Sequence, residues 1–262
     1  MIDALEDRLA GRFLFPIFSQ CKDTWLSVHG TKWGFFKLFL LFTLLFSALG
    51  FAIVKIWPVD INHLAQTIGQ LSLWHHILFD VIAALLIAPL SVGMIVFSLA
   101  LLKKEKISVF HIFKPYQAIV TVGLTAVIAV LIKDAAVLAF TYASLHGLAM
   151  LAPAPQQAPS SLYIAVAQVI PYITTAILTY ISLTIGWFAP LLAYRQGLQP
   201  WAAIKTSFNI VRHRWIRCFF FFLLISLFAG LLCATLIGFL WGFPLMMLSF
   251  ATAYQTFFGE AA

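Results

Sequence analysis

Charged residues are scarce in this chain of 262 residues, since Asp, Glu, Lys and Arg together make up only 10% of it. Soluble domains carry about 25% charged and about 45–50% apolar residues, whereas 63% of this chain is hydrophobic. The shortage of charge therefore argues against a water-soluble fold. Several apolar runs reach the ~20 residues that cross a hydrocarbon core about 30 Å thick. The sequence predicts a polytopic helical membrane protein.

Catalytic and redox signatures are also missing. The chain has no GxSxG, HExxH, P-loop or glycine-rich dinucleotide motif. Its three cysteines, Cys21, Cys218 and Cys233, show no CxxC spacing, which argues against a disulfide framework and a zinc site. We therefore expect no enzyme, no cofactor and no metal. The glycines are interpreted as close-packing or turn positions rather than phosphate cradles, chiefly Gly186, Gly197, Gly238 and Gly242.

The apolar runs predict an all-α fold, in which residues 1–262 form a single integral membrane domain, a polytopic transmembrane helical bundle of six spans. The spans are predicted at about 33–56, 74–102, 116–151, 162–194, 215–236 and 239–258. A short amphipathic helix over residues 2–13 is expected on the membrane surface. Asp23 or Thr24 is expected to cap a second short helix that leads into span one. Because the first apolar run lies far from Met1, no cleaved signal peptide is expected.

The stretch 116–151 allows two interpretations, because Lys133 and Asp134 lie in its middle. These residues can form a turn between two short spans, or they can belong to one long helix whose residues 135–151 reach beyond the bilayer. A turn would send Arg195 and the cluster 212–217 to the outer side. The positive-inside bias therefore favours one long helix.

The positions of the basic residues also predict the orientation. In the six-span layout all of the 16 Lys and Arg residues except Lys55 and Lys133 fall on one side. Such a bias marks the cytoplasmic face, so both termini are expected in the cytoplasm of a bacterial inner membrane. The net charge of +7 then lies on that face, where it suits anionic lipid headgroups rather than nucleic acid.

Two basic, aromatic-edged connectors resemble each other, which indicates an internal repeat. Residues 24–37 align with residues 206–219 at a constant offset of 182. The alignment pairs Thr24 with Thr206, Leu26 with Phe208, Ser27 with Asn209, Val28 with Ile210, Lys32 with Arg214 and Trp33 with Trp215. A weaker third copy, ISVFHIFKPY, occupies residues 107–116. The six spans are thus expected as three units, each an amphipathic connector followed by a helical hairpin.

The connector at residues 199–217 predicts an amphipathic helix. Trp201, Ile204, Phe208, Val211 and Trp215 are spaced 3, 4, 3 and 4 apart and would make one apolar stripe. Such connectors can simply orient the spans, or they can bind a lipid headgroup or a second membrane protein. The candidate contacts for binding are Lys205, Arg212, Arg214, Arg217, Trp215, Lys32 and Trp33.

Ionisable residues inside the predicted spans form a second candidate site. Lys133 and Asp134 lie about 26 Å up span three at 1.5 Å per residue. Asp80 and Lys55 lie at similar depth, so Asp80 can pair with Lys133 or with Lys55. His76 lies four residues before Asp80 on the same helix face. A structural ion pair and a proton or substrate pathway both remain open, whereas neighbouring histidines and one aspartate leave a metal site short of ligands.

The last third of the chain carries a resemblance to a known group. It lies in the connector PWAAIKTSFNIVRHRW, in the preceding FAPLLAYRQG and in the closing FPLMMLSFATAYQTFFG. The chain resembles the YciC-like and related DUF-type bacterial polytopic inner-membrane proteins of unknown function, which are similar to the membrane domain of some glycerophosphodiester phosphodiesterases. The similarity covers residues 80–258 loosely and 186–258 best. It implies no catalytic residues, and the chain has no phosphodiesterase domain.

These features favour a non-catalytic integral inner-membrane protein that acts as a scaffold, an accessory subunit or a lipid-handling component of the envelope. A transporter for a small substrate or coupled to protons is the alternative, and an intramembrane enzyme is the third hypothesis. A scaffold predicts a co-purifying partner. A transporter predicts a water-accessible polar cavity, and an enzyme predicts several polar groups around one pocket.

Overall fold

The computed structural model of the protein describes residues 7, 10, 11, 13–56, 73–150, 188–235 and 238–259. Regular structure in these residues is helical throughout, as predicted. The elements in chain order are α1 (Ile17–Ile56), α2 (Leu73–Leu102), a 3₁₀ segment (Val109–Ala118), α3 (Ile119–Met150), α4 (residues 188–196), α5 (Pro200–Val211), a 3₁₀ turn (Arg212–Arg214), α6 (Trp215–Cys233) and α7 (Phe239–Phe258).

Three helical stretches of the described chain are long and apolar enough to cross a membrane: Asp80–Leu102, Val109–Phe140 and Pro200–Cys233. They support the expectation of a membrane protein. The bounds of α2, α3, α6 and α7 agree with four predicted spans to within three residues. Six spans stay a prediction, because most of 162–194 lies outside the described residues, as do the loop 58–72 and most of the expected helix at 2–13.

The helix α3 continues unbroken through Lys133 and Asp134, so the interpretation of a turn at these residues is wrong. Ile119–Met150 is one α-helix of 32 residues. The sequence between residues 124 and 146 contains neither Gly nor Pro, so nothing in it interrupts the ladder of backbone hydrogen bonds. That residues 135–151 reach beyond the bilayer stays a prediction.

The helix α1 begins earlier than predicted, and the expected short helix and span one form a single helix of 40 residues. Pro16 precedes it, and the Pro16 carbonyl accepts hydrogen bonds from the Gln20 amide at 3.0 Å and the Ser19 hydroxyl at 3.2 Å. Proline suits this place because its missing amide hydrogen has no role at a helix start. Thr24 lies inside the helix rather than at a cap, and its hydroxyl donates to the Gln20 carbonyl at 2.7 Å.

Aromatic side chains fill the centre where α1, α2 and α6 pack against α7. Phe15 stacks on Phe257 with ring centroids 4.9 Å apart and meets Phe221 edge-on at 5.4 Å. Phe188 lies 5.5 Å from Phe258. Such rings contribute large buried areas and offset or edge-on contacts. The described helices therefore form a packed body that can hold surface elements in place.

The 3₁₀ segment lies directly on α2. Gly93 makes this approach possible, because a Cβ atom at this position would overlap the carbonyl oxygen of Ile112. The Tyr116 hydroxyl donates to the Leu86 carbonyl at 2.9 Å, which adds a hydrogen bond between the 3₁₀ segment and α2. The segment thus fixes the start of α3 beside α2.

Candidate functional site

Asp80, Lys133 and Asp134, here called the polar cluster, meet where α2 packs against α3. The Lys133 Nζ atom lies 3.0 Å from Asp80 Oδ2 and 3.0 Å from Asp134 Oδ1. Asp80 thus pairs with Lys133, which is one of the two partners that the predicted depths in the membrane allowed. Because Asp80 belongs to α2 and the other two residues to α3, the cluster ties the two helices together.

The polar cluster carries an excess of negative charge, since two carboxylates share one ammonium group. Asp134 Oδ2 is buried and has no hydrogen-bond donor among the described residues. The Asp80 side chain is 42% exposed and that of Asp134 only 17%, so the cluster is open at Asp80 and closed at Asp134. A buried carboxylate oxygen without a donor is unfavourable in apolar surroundings. Asp134 Oδ2 can therefore accept one further hydrogen bond.

Lys55 and His76 belong to α1 and α2, but their side chains lie outside the described part of the structure. Their place in the polar cluster stays a prediction. Within the residues that the structure describes, no group of three or more His, Cys, Asp or Glu side chains is arranged to hold a metal ion.

The second candidate site lies on α5 and the start of α6, where the structure divides the predicted apolar stripe. Ile204 and Val211 are buried against the protein, whereas Trp201, Phe208 and Trp215 are exposed. The prediction of one stripe is therefore wrong. At about 100° per residue the centre of the exposed set lies about 50° around the helix from the centre of the buried set, and that angle separates the protein-facing side from the outer side.

The exposed side carries Lys205 and Arg212 in addition to the three aromatic residues. We call this set the connector stripe: Trp201, Lys205, Phe208, Arg212 and Trp215. Steps of 4, 3 and 4 place the first four on one helix face. Trp215 continues the alternation of rings and cations on the far side of the 3₁₀ turn. Arg217 is exposed as well. Rings and cations on one face are typical of a helix at a membrane surface.

Arg214 contacts the protein instead. Its Nε donates to the Phe13 carbonyl at 3.2 Å and its Nη2 to the Gly11 carbonyl at 3.3 Å. The guanidinium group also lies 5.7 Å from the Phe13 ring centroid. Gly11 has a φ angle of +74° and packs against the ring of His213. Arg214, expected as a headgroup contact, therefore holds the segment before α1.

The first connector also divides its two candidate contacts. The Lys32 Nζ atom lies 5.7 Å from the Trp241 ring centroid on α7, so the charge faces the protein. Trp33 is 67% exposed. Trp33, like Trp215, therefore remains available to an interface, whereas Lys32 does not stand beside it on the outer face.

Several paired positions of the two connectors have similar exposure, although Thr24 is wholly buried and Thr206 is half-buried. Val28 and Ile210 are both wholly buried, and Trp33 and Trp215 are both exposed. The backbones differ just before the tryptophan, because α1 is continuous whereas Arg212–Arg214 forms a 3₁₀ turn between α5 and α6. The duplication of the unit stays a prediction.

A polar seam between α1 and α7 was not anticipated. Gln20 donates to the Thr256 hydroxyl at 2.8 Å, and the hydroxyls of Thr24 and Thr252 lie 3.1 Å apart. The sequence contained a signal for this seam. Gln20 and Thr24 are four residues apart on α1, and Thr252 and Thr256 are four apart on α7, so each helix carries its two polar residues on one face.

No protein-family model, curated protein or solved structure matches the chain.

Proposed function

We propose that this protein is a non-catalytic integral membrane protein that acts as a scaffold, accessory subunit or lipid-handling component of a bacterial inner membrane. The connector stripe is the observation that supports this proposal. It presents three aromatic rings and two cations on the outer face of α5 and the start of α6. The resemblance to YciC-like proteins agrees with this function and belongs to the same proposal.

The packing of α5 explains why the stripe can serve as a fixed contact surface. Its other face is buried through Ala203, Ile204, Ser207, Ile210 and Val211. With that face against the protein and α5 in contact with α3, the helix has no freedom to roll. A surface that is already ordered loses less conformational entropy when it binds.

The test is purification of the native protein in a mild detergent, followed by identification of bound protein and lipid. We expect a retained partner protein, retained lipid or both, and a reduced amount after Lys205→Gln and Arg212→Gln. The matched control is Lys103→Gln with Lys104→Gln, two exposed cations outside the stripe. A wild-type protein that retains neither protein nor lipid would overturn the proposal.

Proton-coupled transport is a second candidate function, and Asp134 Oδ2 is the observation that favours it. This buried oxygen belongs to a cluster with one more carboxylate than ammonium groups. Intramembrane carboxylates of this kind occur in proton relays. In this second candidate function, Asp134 holds the proton and exchanges it with water through the partly exposed Asp80.

Reconstitution in liposomes with an imposed pH gradient and an internal pH-sensitive dye tests this second candidate. Proton flux should be present in the wild type and lost in Asp134→Asn. Asp23→Asn, which changes an exposed carboxylate outside the cluster, should leave the flux unchanged. Wild-type flux equal to that of protein-free liposomes would exclude proton conduction and leave the cluster as a structural ion pair.

A further inference from the structure

We infer that the connector stripe binds the phosphates of anionic phospholipid headgroups. Lys205 and Arg212 supply the charges, and the rings of Trp201, Phe208 and Trp215 lie at the boundary of the acyl chains. The inference rests on the proposed function and names the ligand of the same surface.

The first support is that the cations of the stripe lack a carboxylate partner. The sequence between Asp134 and Glu260 contains five basic residues and no Asp or Glu. Neither Lys205 nor Arg212 takes part in an ion pair among the described residues. Their counter-charge must therefore come from outside the described chain, and phospholipid phosphate is the anion present at a membrane surface.

The second support is the placement of the cations on the same face as the rings. Lys205 and Arg212 are seven residues apart, about 10 Å along the helix, so each meets a separate phosphate. Both residues are exposed and alternate with exposed rings along the chain. Long basic side chains in such a position reach headgroups with their charged ends while their apolar parts stay in the acyl region. A topology signal requires only that cations lie near a span. Headgroup binding requires in addition that the cations and rings lie on the same exposed side, and the stripe meets that requirement.

The third support comes from the first connector, which presents the equivalent face without the cations. Positions offset by 182 from the stripe are all exposed, and they are Ser19, Asp23, Leu26, Gly30 and Trp33. The first two lie just before the aligned residues 24–37. The aromatic end is kept at Trp33, but an acidic residue and a glycine stand where the stripe has Lys205 and Arg212. Anion binding should therefore be confined to the second connector.

The position of the stripe favours lipid over an acidic protein. It runs directly into α6, an apolar helix of 19 residues within the membrane-compatible stretch Pro200–Cys233. A surface at the start of such a helix lies at the depth of the headgroups, where aromatic and basic residues concentrate.

The experiment uses the full-length protein in nanodiscs that mix phosphatidylglycerol with phosphatidylcholine. Lipid retained after transfer to detergent is quantified by mass spectrometry. We expect retention of phosphatidylglycerol over phosphatidylcholine, and a preference about 25-fold lower in Lys205→Gln with Arg212→Gln, from about fivefold per cation. Lys103→Gln with Lys104→Gln should keep the preference. An unchanged preference in the stripe variant overturns the inference.

A gain-of-function variant supplies a second test. Asp23→Lys with Gly30→Arg installs two cations on the first connector, where Asp23 is exposed and a Cβ at Gly30 meets nothing within 4 Å. This variant should retain additional phosphatidylglycerol, and retention equal to the wild type overturns the inference.

The same purifications separate the inference from the proposed function. If a partner protein is bound and lost with the stripe while the lipid preference is absent, the lipid inference fails and the proposed function stands. If neither lipid nor protein is retained, both fail.

Discussion

At Gly93 a single hydrogen in place of a side chain decides how closely two elements approach. The 3₁₀ segment passes over α2 with the Ile112 carbonyl directly above this glycine. Any side chain here would have to displace backbone, which packed interiors resist. The contact matters beyond stability, because the segment sets the start of α3 and hence the height at which Lys133 meets Asp80.

Gly93→Ala is expected to lower the free energy of unfolding by about 3 kcal/mol, at the upper end of the cost of overpacking. The measurement is the midpoint of unfolding in mixed micelles of mild detergent and sodium dodecyl sulfate. Gly30→Ala is the matched control, since its added methyl meets nothing within 4 Å. Equal midpoints for the two variants would contradict the close approach.

Single residues were predictable only in part. Gly238 and Gly242 are predicted as close-packing or turn positions. Close packing is what the structure shows, because a Cβ at Gly242 would lie 2.5 Å from Cys233 Sγ and one at Gly238 would overlap the Leu232 carbonyl. Gly93 was not singled out. Its role depends on a neighbour from another part of the chain, and no spacing within α2 reveals that neighbour.

Among the elements, the turn Arg212–Arg214 joins the outer surface to the segment before α1. Arg212 and Arg214 are separated by two positions, so their side chains leave the chain in different directions. One is exposed and the other donates to the carbonyls of Gly11 and Phe13. Positive charge alone therefore does not define the interface.

Arg214→Gln should release this segment, because the hydrogen bonds from a charged donor are lost. We expect about 2 kcal/mol of destabilisation and faster hydrogen exchange over residues 13–20, measured by mass spectrometry. Arg212→Gln should leave the exchange at these residues unchanged. If the two variants exchange alike, the clamp by Arg214 does not limit the motion of the segment.

Apart from the start of α1, helix bounds were predicted more accurately than helix faces. The lengths of α2 and α7 follow from apolar runs between polar or turn residues, and the predicted bounds agree with the structure to within one residue. The side of α5 that faces the protein could not be derived, because Ile204, Phe208 and Trp201 are all apolar. Small residues such as Ala203 and Ser207 mark the packed side, since they allow close approach. Counting apolar residues on each side would instead assign the side with the large rings to the protein interior.

For the molecule as a whole, the orientation in the membrane is the main expectation still to be tested. If the basic residues mark the cytoplasmic side, Lys106→Cys should react with a membrane-impermeant maleimide only from that side, and Ala234→Cys only from the other. Both positions are exposed. The native cysteines are first replaced by alanine, so that only the introduced cysteine reacts. Cys21 is expected to react slowly in any case, because burial raises the pKa of its thiol and so lowers its thiolate fraction at neutral pH. Labelling of both positions from one side would contradict the layout.

The seam between α1 and α7 also has a consequence for the order of biosynthesis. Gln20 and Thr256 are 236 positions apart, so α1 leaves the ribosome long before the helix that completes its hydrogen bonds and covers its aromatic residues. Until α7 arrives, α1 needs temporary contacts with lipid, insertion machinery or its earlier neighbour α2. A nascent chain interrupted before α7 would keep these polar and aromatic groups uncovered, which is the kind of surface that membrane quality-control proteases recognise in unfinished proteins.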